Sequence, residues 1–398
     1  MKKLRVGILF GGRSGEHEVS LLSAASVLQA IDRQKYDVQL IGIAKDGRWL
    51  TASDAADLLP ASAGRAQHLR AGDPEATAGA ALLEHGKEVT VPHVPAHADP
   101  SGNSLARLRA SAEQSLGVDV IFPVLHGTFG EDGTVQGLFE LADLAYVGSG
   151  VLGSAAGMDK DVMKRLFAAA RLPIPKHVTV LRAEWQRSPR RVRQRVEQAL
   201  RYPLFVKPAN LGSSVGISKA HEGGELKAAI DLAASFDRKI VIEQGIGGKR
   251  GKARELEVAV LGNDAPEASV VGEIVPCKEF YDYEAKYLSE GSEAVIPAKI
   301  TRAESKHIRE MAIAAFQACD CAGMARVDFL MEPGEGKGER PRKIYLNEVN
   351  TLPGFTSISM FPKLWQASGL PYPELIDRLI DLAQERHKEK QANRYGLQ

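Results

Sequence analysis

The sequence has little cysteine: Cys277, Cys319 and Cys321 are the three in 398 residues. An odd count without a Cys-x-x-Cys pair excludes a disulfide framework and a zinc knuckle, and fits a reduced, cytoplasmic protein. Charge of one sign is missing as well. Lys+Arg total 51 and Asp+Glu 50, a formal net charge of +1. That balance argues against a general nucleic-acid coat and against a binder of anionic membranes. No run approaches the ~18 apolar residues of a membrane span. The opening Met1-Lys2-Lys3-Leu4-Arg5 is basic, but the apolar stretch Val6–Phe10 stops at Gly11-Gly12, too soon for a signal-peptide core. Several motifs are absent. No Gly-Lys pair completes a Walker A loop, and the first strand carries no Gly-x-Gly-x-x-Gly. His17-Glu18 has Leu21 where a zincin needs its second His, and there is no Gly-x-Ser-x-Gly elbow.

What remains is an ordinary globular chain, 44% apolar and 25% charged, with glycine abundant at 38 residues. Its length suggests two or three domains. Arg5–Phe10, Val38–Ile43, Val118–Val124 and Leu144–Val147 read as buried strands, with a helix over Ser20–Ile31 between the first two. Short buried strands separated by helices indicate an α/β domain with a doubly wound parallel sheet, placed over residues 1–150. Residues 47–115 interrupt it as an insertion of weak pattern, with a small strand at Glu88–Val94. A helix is expected over Met158–Ala170. Residues 182–201 hold seven Arg and no Lys, which reads as a solvated helix face. Pro203–Pro208, Lys239–Glu243, Glu255–Leu261 and Val270–Val275 read as strands. Met324–Met331 and Lys343–Asn350 form a hairpin pair, and Tyr372–Lys388 an amphipathic helix.

Four constellations carry chemistry. In the hairpin, side chains two apart share a face. Arg326 therefore sits with Asp328, and Glu348 with Asn350. Asp, Glu and Asn offer the hard oxygens that suit Mg²⁺ when it also bridges phosphates. A surface ion-pair cluster explains the spacing equally well, and Thr351-Leu352-Pro353-Gly354-Phe355-Thr356-Ser357, whose backbone N–H groups lie beside the proposed metal, favours the site. Second, Lys207 ends an apolar strand before the loop Gly212-Ser213-Ser214-Val215-Gly216, and Lys160 opens a helix after a Gly-rich stretch. Two lysines and a Gly/Ser loop suit a polyphosphate. Third, Phe280-Tyr281-Asp282-Tyr283-Glu284-Ala285-Lys286-Tyr287 mixes aromatics with charges as a closing lid does. Fourth, Glu16 follows the first strand, at the crevice where open α/β sheets bind ligands, and His126 lies along the same edge. A carboxylate there suits a substrate ammonium, although charge at a helix N-terminus explains it too.

These residues, in this order, resemble the D-alanine–D-alanine ligases of the ATP-grasp superfamily over about residues 1–46 and 116–385. The matching elements include Gly-Gly-x-Ser-x-Glu-His-Glu-Val-Ser (11–20), Leu-His-Gly-x-x-Gly-Glu-Asp-Gly (125–133), Met-Asp-Lys (158–160), Val-Lys-Pro (206–208), Arg-Val-Asp (326–328) and Asn-Glu-Val-Asn-Thr-Leu-Pro-Gly-Phe-Thr (347–356). The resemblance implies an N-terminal domain (1–150) followed by a two-part ATP-grasp fold with antiparallel sheets. Its parts would be a central subdomain (151–245) and a C-terminal one (246–398) with a lid at 276–297. It implies that ATP is held by Lys160, Lys207, Ser214, Phe280, Lys286 and Asn347, that Glu243, Gln244 and Ile246 read adenine, and that Glu255 meets the ribose. It implies two Mg²⁺ ions, with Mn²⁺ an alternative, on Asp328, Glu348 and Asn350. Glu16 would bind the first substrate's ammonium, Ser213 and Tyr287 would link it to the lid, and His126, on the same edge, would bind substrate as well. Arg326 and the Gly354 N–H would form an oxyanion hole, and Ser359 would meet the second substrate's carboxylate. The linker Gly247–Ala253 is longer than the family's usual one.

The implied activity is ATP-dependent joining of two D-alanines through an acyl phosphate, releasing ADP and phosphate, for peptidoglycan precursor synthesis by a cytoplasmic homodimer. On that mechanism Arg326→Ala costs ~10²–10³ in turnover. The nearest rival is a D-alanine–D-lactate ligase, against which Tyr287 speaks. A non-catalytic ATP-binding module is the rival from another class, and it would not need Glu16, His126, Arg326 and a lid together.

Overall fold

The computed structural model describes residues 2–51, 87–88, 117–247, 251–275, 293–334, 342–356 and 358–394, and its strands form three sheets. In the first, β1 (Leu4–Gly11) pairs in parallel with β2 (Tyr36–Ile43) on one side and with β5 (Val120–Pro123) on the other. β5 continues in parallel to β6 (Ala145–Tyr146), while β3 (Trp49–Thr51) and β4 (Lys87–Glu88) add an antiparallel edge beside β2. Val6, Ile8, Leu9 and Phe10 are fully buried, as expected of a parallel sheet covered on both faces. The strand order reverses between β1 and β5, so their carboxyl ends open a crevice. Helix α1 (His17–Ala30) leaves one wall of it, and α2 (Thr134–Leu141) follows the loop on the other.

One long helix over Met158–Ala170 is not what forms. The structure has α3 (Val151–Met158) and α4 (Lys160–Ala169) instead. Asp159 stands between them in an extended conformation, its carboxylate accepting the N–H groups of Asp161 and Val162. This is an N-cap, and it satisfies donors that a new helix would otherwise leave unpaired. Within the helical Gly-rich stretch before it, Gly153 lets α3 pack closely on the chain at Asp320: a Cβ there would stand 2.3 Å from the Asp320 carbonyl.

The second sheet is antiparallel, with β7 (His177–Leu181), β10 (Lys239–Gln244), β8 (Leu204–Pro208) and β9 (Ser218–Ala220) in that order. Helices α5 (Arg182–Arg187), α6 (Pro189–Ala199) and α7 (Leu226–Phe236) cover it. The Arg-rich segment buries only Trp185, Val192 and Val196 within its two helices, so the arginines are a solvated face. The third sheet is antiparallel as well, in the order β13 (Glu293–Val295), β12 (Glu267–Val275), β11 (Arg254–Gly262), β14 (Gly323–Met331), β15 (Ile344–Asn350). The expected lid segment 276–297 is thus shorter at its end, because Glu293–Val295 is a strand of this sheet; residues 276–292 lie outside the described ones. Most of the 47–115 insertion lies outside them too.

Helix α8 (Arg302–Ala318) packs on the third sheet and starts from a capping box of Thr301 and Glu304. The chain then returns to the first sheet. Helices α9 (Met360–Ala367) and α10 (Tyr372–Gln391) share one apolar cluster with β1, β2 and β5, and Leu375, Ile376, Leu379 and Ile380 are fully buried in it. Each such side chain contributes roughly 1.5–3 kcal/mol by leaving water. This return brings the end of the third sheet against the crevice of the first. Among the described residues no helix is long and apolar enough to cross a membrane.

Candidate active site

Glu16 stands at the carboxyl end of β1, where α1 begins, and is 8% exposed. Its carboxylate accepts a hydrogen bond from the hydroxyl of Ser213, 197 residues away in the loop between β8 and β9. Two glycines make room for it: a Cβ on Gly127 or Gly212 would come within 2.6 or 2.9 Å of Glu16 Oε2. Ser213 and Ser214 both have positive φ, 48° and 59°, a conformation that costs a non-glycine residue energy and that clusters at functional sites. Tyr287, the expected third member, lies outside the described residues, as do Phe280 and Lys286.

A second carboxyl faces Glu16 from the 125–133 loop. Glu131 accepts the Gly127 N–H at 2.8 Å. Burial, then the Glu16 carboxylate, pushes the Glu131 carboxyl up to about 8, against the Gly127 N–H and Arg326, which pull it down. His126, in the same loop, is 4% exposed, with Nδ1 at 3.0 Å from the Leu352 carbonyl and Nε2 at 2.9 Å from the Ser23 hydroxyl. Burial lowers its pKa to about 4, the Leu352 carbonyl opposing and Arg326 assisting, so the ring is neutral at pH 7.

The lysines gather around a buried carboxylate. Lys207 of β8 and Lys164 of α4 each stand 3.0 Å from Glu243 of β10, with the Lys164 side chain 1% exposed. Burial pushes the Glu243 carboxyl up, but the two ammonium groups outweigh it and hold it at about 2. Desolvation lowers Lys164, whereas Glu243 and Glu348 leave Lys207 raised. Lys164 also donates to the Asn347 carbonyl at 3.3 Å, and Lys207 lies 3.5 Å from Asn347 Oδ1. Lys160 is buried and donates to the Leu211 carbonyl at 2.7 Å, beside the Ser213 loop. So the Glu243 side chain faces the lysines. Gln244 accepts from the Arg201 N–H at 3.1 Å, and Ile246 and Glu255 are half-buried at the start of the linker and of β11.

The third sheet sets carboxylates in a row. Glu257 of β11 pairs with Asp328 of β14, which pairs with Glu348 of β15, and Arg326 pairs with Asn350 one step along. Arg326 donates twice to Asp328, at 2.8 Å each, and stands 3.2 Å from Glu257. Burial works against its charge, but Asp328 and Glu257 raise its pKa well above normal. Asn350 Nδ2 donates to Asp328 at 3.0 Å. The register slips between Asp328 and Phe329, which leaves Asn347 as the extra residue of a bulge. A bulge re-aims its side chain, and this one turns Asn347 towards Lys207. Among the described residues no three Asp, Glu, His or Cys side chains form a metal site by themselves. Asp328 and Glu348 with Asn350 instead present two carboxylates and an amide on adjacent strands. Such a hard-oxygen set fits Mg²⁺ that completes its shell with phosphate and water.

Beyond Asn350 the chain turns back towards His126. Gly354 is half-buried between Pro353 and the fully buried Phe355. Ser359 opens α9, its hydroxyl 2.7 Å from that of Thr356 and accepting the Thr356 N–H at 3.1 Å. The sequence reading missed Lys164, Glu257, Glu131 and Ser23. Lys164 carried a signal, since it lies four residues after Lys160 on one helix face, and so did Glu257, two after Glu255 on one strand face.

The family model described as "D-ala D-ala ligase N-terminus" matches residues 5–149, and that described as "D-ala D-ala ligase C-terminus" matches residues 166–381. The chain is 50% identical over 397 residues to a D-alanine–D-alanine ligase of Geobacillus thermodenitrificans, with 100% of both chains covered. It is 49% identical over 393 residues to one of Heliobacterium modesticaldum, covering 99% of this chain and 98% of that one. Among solved structures, the D-alanine–D-alanine ligase of Coxiella burnetii superposes with a TM-score of 0.76 at 34% identity, covering 98% and 97% of the two chains. The VanG D-Ala:D-Ser ligase of Enterococcus faecalis gives the same score and identity, covering 96% and 100%.

Proposed function

This chain belongs to the D-alanine–D-alanine ligase family, and from that premise we propose that it joins two D-alanines with ATP through an acyl phosphate, releasing ADP and phosphate. The observation that carries the reading is the Glu16–Ser213 pair, set at the switch point of a parallel sheet and cradled by Gly127 and Gly212. It offers a buried anion of the right charge for an amino-acid ammonium, next to a polyphosphate-sized group of lysines.

In this reading the second and third sheets are the two walls of the nucleotide site. Glu16 binds the ammonium of the first D-alanine and orients its carboxylate towards the γ-phosphate. Lys160 and Lys207 move from the Leu211 carbonyl and from Glu243 to phosphate oxygens. Asp328, Glu348 and Asn350 are the groups that would hold Mg²⁺, which when bound neutralises phosphate charge. Arg326 and the Gly354 N–H face the oxyanion formed when the second D-alanine amine attacks the acyl phosphate. Ser359 receives the second carboxylate. Glu255 meets the ribose, Glu243, Gln244 and Ile246 border the adenine, and Phe280, Lys286 and Tyr287 close over the site to keep water from the acyl phosphate. The protein acts as a homodimer, which sedimentation velocity checks.

The test is ADP release by the purified protein with ATP and Mg²⁺, across D-alanine, D-serine, D-lactate and L-alanine. Release that requires D-alanine, with D-alanyl-D-alanine as product, is the expected result. ATP binding without D-alanine-dependent ADP release would support a nucleotide-binding module instead. A depsipeptide product from D-alanine plus D-lactate at acid pH would support the lactate-using rival.

A further inference from the structure

His126 and Ser23 form a circuit that begins and ends on the same loop of the third sheet. A carbonyl oxygen can only accept, so the 3.0 Å contact with Leu352 assigns the ring proton to Nδ1. Nε2 of the neutral ring is then an acceptor, and the Ser23 hydroxyl at 2.9 Å must donate to it. The lone pairs of Ser23 Oγ face the Phe355 N–H, which approaches to 3.4 Å. The chain of bonds therefore runs from the Phe355 N–H to Ser23, from Ser23 to His126, and from His126 to the Leu352 carbonyl. Ser23 lies on α1 and His126 follows β5, both on the first sheet, and both are buried. The two backbone groups that they hold flank Pro353 and Gly354. Neither ring nitrogen is left over for a substrate.

We propose that Ser23 is a positioning residue: with His126 it clamps the 352–355 loop from both ends and so fixes the direction in which the Gly354 N–H points. The proposal rests on the ligase reading for the use of that N–H, but the clamp itself does not. The Phe355 carbonyl is tied down separately by the Tyr372 hydroxyl at 2.6 Å. Losing Ser23 therefore frees the amide end of the loop without detaching the loop from the core.

Two experiments decide it. In ¹⁵N-histidine-labelled protein, with the His126 signals identified by their loss in His126→Asn, the wild type should show a neutral ring with the proton on Nδ1. A proton on Nε2 overturns the clamp, whatever reaction the protein performs. In steady-state assays Ser23→Ala should lower kcat by about 10- to 100-fold, the size of effect expected when a reacting group is misplaced by about 1 Å, with KM for ATP within about twofold of wild type. His126→Asn keeps a donor near Leu352, but its shorter side chain ends before Ser23, so it should lose a comparable amount. The double variant should then be no worse than the poorer single one, since groups that act as a unit are not additive. Full kcat in Ser23→Ala, or additive losses in the double variant, would overturn the positioning role. If Ser23→Ala does not fold, the His126→Asn kinetics and the ring tautomer still decide it. Absence of D-alanine-dependent turnover in the wild type would sink the ligase reading alone.

Discussion

Replacing Glu243 by Gln keeps the shape of the side chain and removes the negative charge that Lys164 and Lys207 share at 3.0 Å each. The size of the effect follows from linkage. The carboxyl titrates at about 2 in the fold against an ordinary 4.5, a gap of about 2.5 units. At about 1.4 kcal/mol per unit this is about 3 kcal/mol of stability. A folded pKa below the unfolded one means that the stabilisation is complete above pH 4.5 and is lost as the pH falls towards 2. Removing one partner of a buried ion pair costs about 3–5 kcal/mol by a separate route, because the remaining charges stay buried. The two estimates agree. Urea unfolding at pH 7 should place Glu243→Gln about 3 kcal/mol below wild type, a large share of the 5–15 kcal/mol that natural domains have, with the m-value unchanged. The gap should narrow as both proteins are titrated below pH 4.5. A gap under about 1 kcal/mol at pH 7, or one that does not change in acid, would refute the shared-carboxylate account.

Three further outcomes are expected. Arg326→Ala should lower kcat by ~10²–10³ as an oxyanion donor, and a near-wild-type rate would remove it from that role. Gly212→Ala puts a methyl 2.9 Å from Glu16 Oε2, so it should raise KM for D-alanine while leaving ATP affinity, read by calorimetry, unchanged. Glu131, raised to about 8, is neutral at pH 7. Its ionisation is favoured less in the fold than in the unfolded chain, so its stability contribution fades as pH rises from the ordinary 4.5 through about 8. Glu131→Gln should match wild type in denaturation below pH 4.5, exceed it increasingly as the pH rises from there, and show its full advantage above pH 8.

Much of the site was legible residue by residue. Strand alternation alone put Arg326 with Asp328 and Glu348 with Asn350, while the register that sets Asp328 opposite Glu348 and Arg326 opposite Asn350 came only from the folded hairpin. The sheet ends also located Glu16 and His126 on one crevice. What alternation could not deliver was Asn347. A strict period of two sends it to the face opposite Glu348, and the bulge brings it to Lys207 instead. The break at Asp159 was hidden for a similar reason. Apolar periodicity runs through it, and only the cap bonds to Asp161 and Val162 show that a second helix starts there.

By itself the sequence determined the residue types: hard oxygens on paired strands, lysines beside a Gly/Ser loop, a carboxylate after the first strand. It also determined the local conformations that short-range sterics and periodicity control. The tertiary structure decided the pairings across long separations, Glu16 with Ser213, Lys164 with Glu243, and His126 with Ser23 and Leu352. The physical reason is that these bonds depend on which sheets pack against one another and on which glycines yield room. Burial then sets the charges, and it can be read only after the chain has closed around them.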